Sequence, residues 1–395
     1  MRAVPSISNV SRIRTAMRGA AILCVACIPI LAGCGSGKFF IPVCQAQNNC
    51  NSSGGGGSTT YSSYAYVANA TTQNLALFPL PTAAFTSISG TTSVLGATPT
   101  ALAATPGGTF LYVATSQGSV VVYSIGAKGA LTLGNGGNAV TTTLNPVWMT
   151  VDPSGQWLFL LSSSTTALLE YQINTSTGVL TAANGNGTAL GSGTPAQVYV
   201  TPDNQAVYVA HGTGGVAAFA FDSTTGVLSN QTNLAPKSSN GVSDNALGGD
   251  GNSAFLIVGE AGTGLRVFNI GNAGALTEVS GSPFATQLGP RSIVVDPTNT
   301  YVYVANSAAS VITGYTLGTS GALTPLSSSP FTAGTTPVSM SLDSTGTYLL
   351  VVSQGGTPDL RIFSFDATTP GKLDSVASSA TGTDPTGPVS LAVVP

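Results

Sequence analysis

The chain has 395 residues, of which 43% are hydrophobic and only 6% charged, and it contains 49 glycines and 23 prolines. So much Gly and Pro excludes a protein built mainly of long helices, because both residues destabilise helix interiors. Four of the 11 basic residues lie in the first 18 residues, which leaves 7 basic against 14 acidic residues in the rest, and we therefore expect no nucleic-acid partner.

The first 33 residues have the three-part organisation of an export signal. Residues 1–18 are basic, residues 19–30 form an apolar run too short to span a bilayer, and Leu31-Ala-Gly-Cys34 follows. This last run resembles the lipobox of bacterial lipoproteins, which implies cleavage before Cys34 and its acylation, including palmitate. We therefore expect a protein exported to the bacterial cell envelope and anchored in its membrane through Cys34, at the periplasmic face or the cell surface. The alternative is an ordinary signal peptide with an incidental Cys34.

Residues 34–63 are predicted to form a flexible tether, because four consecutive glycines lie among polar residues there. Cys44 and Cys50 also lie in this segment. Five residues separate them, and an exported protein meets an oxidising environment, so a disulfide between them is one possibility. Cys24 and Cys27 would be removed with the signal.

A run of β-branched and aromatic residues recurs seven times in residues 64–395. Its third residues are spaced 46 to 49 apart and are Tyr66, Tyr112, Phe159, Tyr208, Leu256, Tyr303 and Leu350. Each repeat also has a second apolar run that ends in an aromatic residue. Six repeats then continue with a Gly-x-Leu turn, in which the glycine is expected to have a positive φ. Most repeats have a short strand led by proline before the first run.

Four short strands at a period of about 47 residues predict an all-β fold, a seven-bladed β-propeller of four-stranded antiparallel blades. The first repeat lacks the strand led by proline, whereas residues 388–395 match that strand and follow the last repeat. The C-terminal strand is therefore expected to complete the first blade and close the ring.

The runs such as Tyr301-Val-Tyr-Val-Ala-Asn, the Gly-x-Leu-Thr turns and the Ser-Pro-Phe elements at Ser282 and Ser329 resemble the lactonase-type seven-bladed propellers with their YVTN repeat. The resemblance extends from Tyr64 to Pro395. That family includes 6-phosphogluconolactonases, fungal carboxymuconate cycloisomerases and many exported proteins. It implies a site for lactone chemistry.

In enzymatic members this site comprises a Gly-Pro-Arg-His run, a Glu after the next Tyr-Val-x-Asn, an Arg one blade later and a His one blade earlier. Here Arg291 matches, but Ser292, Ser307 and Gln354 replace the first His, the Glu and the second Arg. Residues 241–245, one blade earlier, contain no His. The resemblance thus leaves Arg291, Ser292, Ser307 and Gln354 as ligand-binding candidates.

Arg291 is the only charged residue at its repeat position, the one that follows the leading proline. The matching residues in other repeats are Thr100, Val147, Ala196, Val338 and Val389. Because this position is expected near the mouth of the central channel, Arg291 is predicted to bind a carboxylate or phosphate. The alternative is a structural arginine that pairs with a nearby acid or caps backbone carbonyls.

Two further residues are candidates for proton transfer. His211, the only histidine, stands at the repeat position of Asn69 and Asn306. Glu260 lies four residues past its anchor, as Ser307 does. Each could deliver water to a lactone, and each could instead be structural, as a turn residue or as part of a salt bridge.

The residues leave three functions open. The first is a ligand- or protein-binding module that lacks the catalytic set, with an unidentified small molecule or envelope protein as partner. The alternative is a hydrolase for a sugar-acid lactone, in which Arg291 holds the anion and His211 or Glu260 delivers water. The third is a cell-surface scaffold. We expect a monomer with no cofactor and no metal site.

Overall fold

The structure is a computed structural model that describes residues 61–81, 91–141, 145–185, 187–237, 244–381 and 387–395. These residues form seven antiparallel sheets of four or five strands. The predicted all-β propeller with seven blades is thereby confirmed. Three single-turn 3-10 helices accompany the strands, at Ala127–Gly129, Asn135–Gly137 and Asn272–Gly274.

Each blade has an inner, a second, a third and an outer strand. In this order the strands of blades 1 to 4 are Pro388–Val394, Tyr61–Asn69, Asn74–Pro81 and Thr91–Val94; Pro99–Ala104, Phe110–Thr115, Ser119–Ile125 and Leu131–Leu133; Pro146–Val151, Trp157–Ser162, Ala167–Ile173 and Leu180–Ala182; Gln197–Val200, Ala206–Ala210, Val216–Asp222 and Val227–Leu234. Those of blades 5 to 7 are Asp244–Gly249, Phe255–Glu260, Gly264–Ile270 and Leu276–Glu278; Pro290–Val295, Tyr301–Asn306, Val311–Leu317 and Leu323–Pro325; Pro337–Leu342, Tyr348–Ser353, Leu360–Phe365 and Leu373–Ser379. A fifth, two-residue strand adds to the third strand in blades 2, 3 and 6, at Val140–Thr141, Thr188–Ala189 and Phe331–Thr332.

The seven inner strands surround a central channel. Each one contacts the inner strand of the next blade, and the seventh contacts the one that belongs to the first. Apolar residues of adjacent blades pack together between the sheets; Tyr303 of blade 6, for example, shares a buried cluster with Leu349 and Val351 of blade 7. The core is therefore divided into layers between blades, and it holds the ring together by burial of apolar surface.

The C-terminal strand completes the first blade, as predicted. Tyr64 pairs with Val394 and Asn69 pairs with Pro388 in an antiparallel ladder. Leu391 and Val394 are buried in the clusters on the two sides of blade 1. The first and last strands of the propeller are thus hydrogen-bonded to each other, which closes the ring and leaves no open sheet edge between blades 7 and 1.

The repeated tyrosine and glycine have a joint role at the contacts between blades. The tyrosine that is the third residue of the repeated run donates a hydrogen bond from its hydroxyl to the carbonyl of the turn glycine in the next blade. The distances are 2.7 to 3.0 Å in the pairs Tyr66–Gly129, Tyr112–Gly178, Tyr208–Gly274 and Tyr303–Gly371. All six turn glycines have the predicted positive φ. At Gly129, with φ +73°, a Cβ would also lie 2.7 Å from the Tyr64 ring, so glycine is required there for two reasons.

The propeller begins three residues before the predicted position Tyr64. The second strand of blade 1 starts at Tyr61, and Ser63 is fully buried. The backbone N–H of Ser344 in blade 7 donates to Ser63 Oγ at 3.0 Å, so this serine belongs to the closure and not to the tether. The predicted signal, Cys34, the pair Cys44 and Cys50 and the rest of the tether lie outside the described residues.

The predicted register was wrong by one residue in blade 5. Ala246 pairs with Gly259 as Ser292 pairs with Ala305 in blade 6, so Ile257, and not Leu256, matches Tyr303. Glu260 therefore corresponds to Asn306 and His211 instead of Ser307. The error arose because the run from Phe255 is apolar throughout and has no tyrosine to mark its register.

Candidate functional site

A cavity of about 540 Å³ opens at one mouth of the central channel. It lies where the inner strands begin and the second strands end. Its lining comes from blades 1, 2, 3, 6 and 7 and from the residues that follow their second strands: Ala70, Thr98, Pro99, Thr100, Ala101, Pro146, Val147, Trp148, Arg291, Ser307, Thr336, Val338, Gln354, Val389 and Ser390. Since ligand sites in proteins are concave with a few convergent polar groups, this cavity is the candidate functional site.

Arg291 is the one charged residue among those that line this cavity. Its side chain is exposed to the cavity, but the surrounding blades remove part of the bulk water, and this desolvation lowers its pKa from the ordinary value. An arginine remains protonated near neutral pH in any case. None of the ion pairs among the described residues involves Arg291, so the alternative of a structural ion pair has no support within the described chain. A cation of this kind favours an anionic ligand or a developing negative charge.

Two of the other three ligand-binding candidates lie in the same cavity. Ser307 Oγ donates to the carbonyl of Gly289 at 3.0 Å, and Gln354 Nε2 donates to the carbonyl of Pro388 at 2.8 Å. These bonds orient both side chains, and each retains an oxygen able to accept a hydrogen bond from a ligand hydroxyl. Ser292 faces the next blade instead, because its buried Oγ accepts a hydrogen bond from the backbone N–H of Met340 at 3.1 Å.

Trp148 is a lining residue that the sequence patterns did not single out. It stands two residues after Pro146, a position that is otherwise small or polar, with Ala101, Gln197, Ala246, Ser292, Ser339 and Ser390 in the other blades. A comparison of the inner strands by position would have identified the tryptophan as the exception. The tryptophan lines this cavity and also packs against the buried apolar cluster between blades 3 and 4.

Glu260 is held in an ion-pair network on blade 5. Its side chain is fully buried, and its carboxylate accepts hydrogen bonds from the Lys237 backbone N–H at 2.9 Å and from Thr263 Oγ1 at 3.0 Å. Arg266 Nη1 lies 3.5 Å from it and Arg266 Nη2 lies 3.4 Å from Glu278. A buried carboxylate with these partners neutralises a buried arginine, which is a structural task.

His211 is also buried and held by its surroundings. Its Nδ1 lies 3.0 Å from the carbonyl oxygen of Ser192, and since a carbonyl only accepts, Nδ1 carries the proton. Desolvation lowers the pKa of His211, although this hydrogen bond opposes the shift. The ring is therefore neutral near pH 7, with Nε2 shielded from solvent and without a partner among the described residues. Neither His211 nor Glu260 is among the residues that line the Arg291 cavity.

The cavity combines one cation with hydroxyl, amide and apolar groups. Arg291 can stabilise a carboxylate or an oxyanion, and the hydroxyls and amide can bind the hydroxyl groups of a ligand. The described lining residues contain no carboxylate, imidazole, amine or thiol that could accept a proton near neutral pH. Among the described residues, no three His, Cys, Asp or Glu side chains are grouped so that they could hold a metal ion, and no helix is long and apolar enough to span a membrane.

Known structures with a similar fold include proteins of lactone metabolism. A proposed 6-phosphogluconolactonase from Bacteroides fragilis is 19% identical, with a TM-score of 0.67 over 86% of this chain and 100% of its own. The periplasmic gluconolactonase of Pseudomonas aeruginosa is 17% identical, with a TM-score of 0.66 over 85% of this chain and 99% of its own. At these identities the likeness shows a common fold. No curated protein matches the chain in sequence.

The family is established by the sequence as a whole. Residues 65–390 match the family model described as lactonase, seven-bladed β-propeller. The match covers almost the entire propeller and agrees with the repeat spacing, the closure by the last strand and the seven blades. The chain therefore belongs to the lactonase family of seven-bladed β-propellers.

Proposed function

We propose that the protein hydrolyses a lactone of a sugar acid in the Arg291 cavity. The observation that supports this most is the position of Arg291, a cation without an ion-pair partner among the described residues, in the mouth of a lactonase-family propeller. The hydroxyl and amide groups of Thr98, Ser307 and Gln354 add a polar rim suited to a polyhydroxylated ligand. The similar fold of a periplasmic gluconolactonase agrees with this substrate class.

The reaction follows from the charge that develops on the substrate. A hydroxide ion adds to the lactone carbonyl carbon, and the carbonyl oxygen becomes an oxyanion that Arg291 stabilises. The ring C–O bond then breaks, and the ring oxygen takes the proton that the added hydroxide carried, which leaves a hydroxyl and a carboxylate on the product. The carboxylate retains the negative charge beside Arg291. Because stabilisation increases as charge develops, Arg291 lowers the barrier instead of only binding the substrate.

A second function is favoured by the absence of a base among the described lining residues. Without one, the cavity would bind a sugar acid and release it unchanged. The protein would then be a binding module, with the same ligand class and the same arginine. Turnover separates the two functions: a binding module accelerates no lactone hydrolysis, while it still binds the acid.

The dependence of the rate on pH tests the proposed mechanism. We expect the enzymatic kcat/KM for δ-gluconolactone, after subtraction of the spontaneous rate, to rise about tenfold per pH unit between pH 5.5 and 7.5. The reason is that hydroxide is the nucleophile and no described lining residue titrates in this range. The measurement is proton release in a pH-stat.

The matched control is His211→Asn, since asparagine occupies the same position in blades 1 and 6. It should leave the slope of the profile unchanged. A plateau or a bell-shaped profile in the wild type would mean that a side chain acts as the base, and it would contradict the mechanism. A rate equal to the spontaneous one throughout would reject hydrolysis of this lactone.

We also propose that the protein acts in the bacterial cell envelope, attached by lipid on Cys34. The support is the basic and apolar leader followed by Leu31-Ala-Gly-Cys34. In cells fed labelled palmitate, the wild-type protein should carry the label and sediment with membranes. Cys34→Ser should lose the label and leave the membrane fraction, because stable anchoring requires the acyl chains. An unlabelled wild type would refute the anchor and leave the proposed reaction untouched.

A further inference from the structure

Trp148 lies between two cavities of the central channel. The Arg291 cavity is on one side, and a second cavity of about 430 Å³ is on the other, lined by the distal parts of the inner strands of blades 3 to 7. Trp148 is the one residue that lines both. A ligand in the Arg291 cavity can therefore contact the indole at the boundary between the two cavities.

The indole of Trp148 packs against the buried apolar cluster between blades 3 and 4, but this packing does not account for its N–H group. At the same register the other blades have small or polar residues, several of which hydrogen-bond the next inner strand: Gln197 Oε1 accepts from the Leu247 N–H at 2.8 Å, and Ser390 Oγ accepts from the Leu102 N–H at 3.1 Å. The Trp148 Nε1 is shielded from solvent and makes no such bond within the described residues. A buried indole N–H usually has an acceptor.

The composition of the walls indicates the shape of the ligand. Trp148 supplies the one aromatic side chain among the described lining residues, whereas Arg291, Ser307, Gln354 and the threonines supply polar groups. The negative face of an aromatic ring attracts polarised C–H bonds, and ring-shaped sugars present such bonds on one face with hydroxyls around the edge. A closed ring that stacks on the indole and directs its carbonyl or carboxylate to Arg291 would use both parts of the site.

We propose that Trp148 is a specificity-determining residue that selects the closed ring form of a sugar acid by stacking, while Arg291 binds its acidic or carbonyl group. This proposal rests on the proposed function for the ligand class, and it adds the preference for the ring. It concerns binding, so it can be tested without turnover.

Intrinsic fluorescence gives a direct measurement, because the chain has only two tryptophans. The other one, Trp157, is buried and donates its indole N–H to the carbonyl of Ser223 at 2.7 Å. Phenylalanine stands at the position of Trp157 in blades 2 and 5, at Phe110 and Phe255, so Trp157→Phe is a substitution that the fold already contains. In this variant Trp148 is the only tryptophan, so the tryptophan emission reports on this residue alone. D-glucuronate is a ring that carries a carboxylate, and its addition should change the emission of Trp148 in a saturable manner.

The contribution of Trp148 is isolated by comparing two anions of equal charge. D-glucuronate has a closed ring, and D-gluconate is an open chain. Trp148→Ala, which introduces the residue found in blades 2 and 5, should lower the affinity for glucuronate about tenfold and change that for gluconate by less than about twofold. Calorimetry measures both, and Trp148→Phe, which retains an aromatic face, should recover most of the affinity for glucuronate.

The outcomes distinguish this proposal from the reaction. If glucuronate binds through Trp148 but no lactone is hydrolysed, the ring preference stands and the proposed function fails. If Trp148→Ala and Trp148→Phe both hydrolyse the lactone with the kcat/KM of the wild type, the reaction stands and the stacking role is refuted. An emission that does not respond to glucuronate, or an equal loss of affinity for both anions, also overturns the proposal.

Discussion

Replacement of Arg291 by alanine is expected to lower kcat/KM for δ-gluconolactone by about 10² to 10³, the effect typical of removing one group that stabilises an oxyanion. Because Arg291 is the only charge among the described lining residues, no neighbouring side chain can replace it. The side chain is exposed in the cavity and has no ion-pair partner among the described residues, so stability should change little. Initial rates of proton release and a thermal unfolding curve measure the two effects.

Two variants make this result specific. Arg291→Lys keeps the charge but loses the planar fork that binds two oxygens, and it should recover only part of the rate. Lys128→Ala removes one positive charge from an exposed turn on the outer part of blade 2 and should retain the full rate. If Arg291→Ala and Lys128→Ala change kcat/KM by the same factor, Arg291 is not part of the site that hydrolyses the lactone.

Removal of residues 388–395 is expected to abolish cooperative unfolding of the propeller. The deleted strand provides the inner strand of blade 1, buries Leu391 and Val394, and pairs with the strand that begins at Tyr61. Its loss should affect stability by an amount comparable with the entire ~5–15 kcal/mol of a typical domain. It also exposes an apolar sheet edge that promotes aggregation. Thermal unfolding monitored by circular dichroism, together with light scattering, measures both consequences.

A permuted chain is the matched control. It begins at Gly387, continues through Pro395 and a short Gly-Ser linker to Tyr61, and ends at Thr381. The inner strand of blade 1 then forms a hairpin with the strand to which it is already paired. This chain should unfold cooperatively. A truncated chain that unfolds at the wild-type temperature would show that the C-terminal strand does not close the ring.

The number of blades and the closure could be predicted from the sequence because the same pattern of four strands recurs in seven similar repeats. A tyrosine or a turn glycine at one site is weak evidence, whereas its recurrence at a constant spacing is strong. The positive φ of the turn glycines follows from the same repetition. The prediction was wrong in blade 5, where Ile257 replaces the tyrosine and the register has no aromatic marker.

The site was less predictable because its contacts join distant parts of the chain. Arg291, Ser307 and Gln354 were found through the family motif, and the structure brings them to one cavity. Trp148 was missed because it matches no motif residue. The role of Glu260 depends on Arg266 and Glu278 from neighbouring strands, and no local pattern in the sequence indicates that pairing.

The pairing of the first and last strands also determines when the molecule can fold during its synthesis. The inner strand of blade 1, Pro388–Val394, is synthesised after all the other strands of the propeller, although Tyr64 can pair with Pro79 on its other side much earlier. The contact of Tyr64 with Val394 spans a large sequence separation, and such contacts form slowly. Until the inner strand is present, the edge of blade 1 is unpaired and the incomplete ring has no stable closed state.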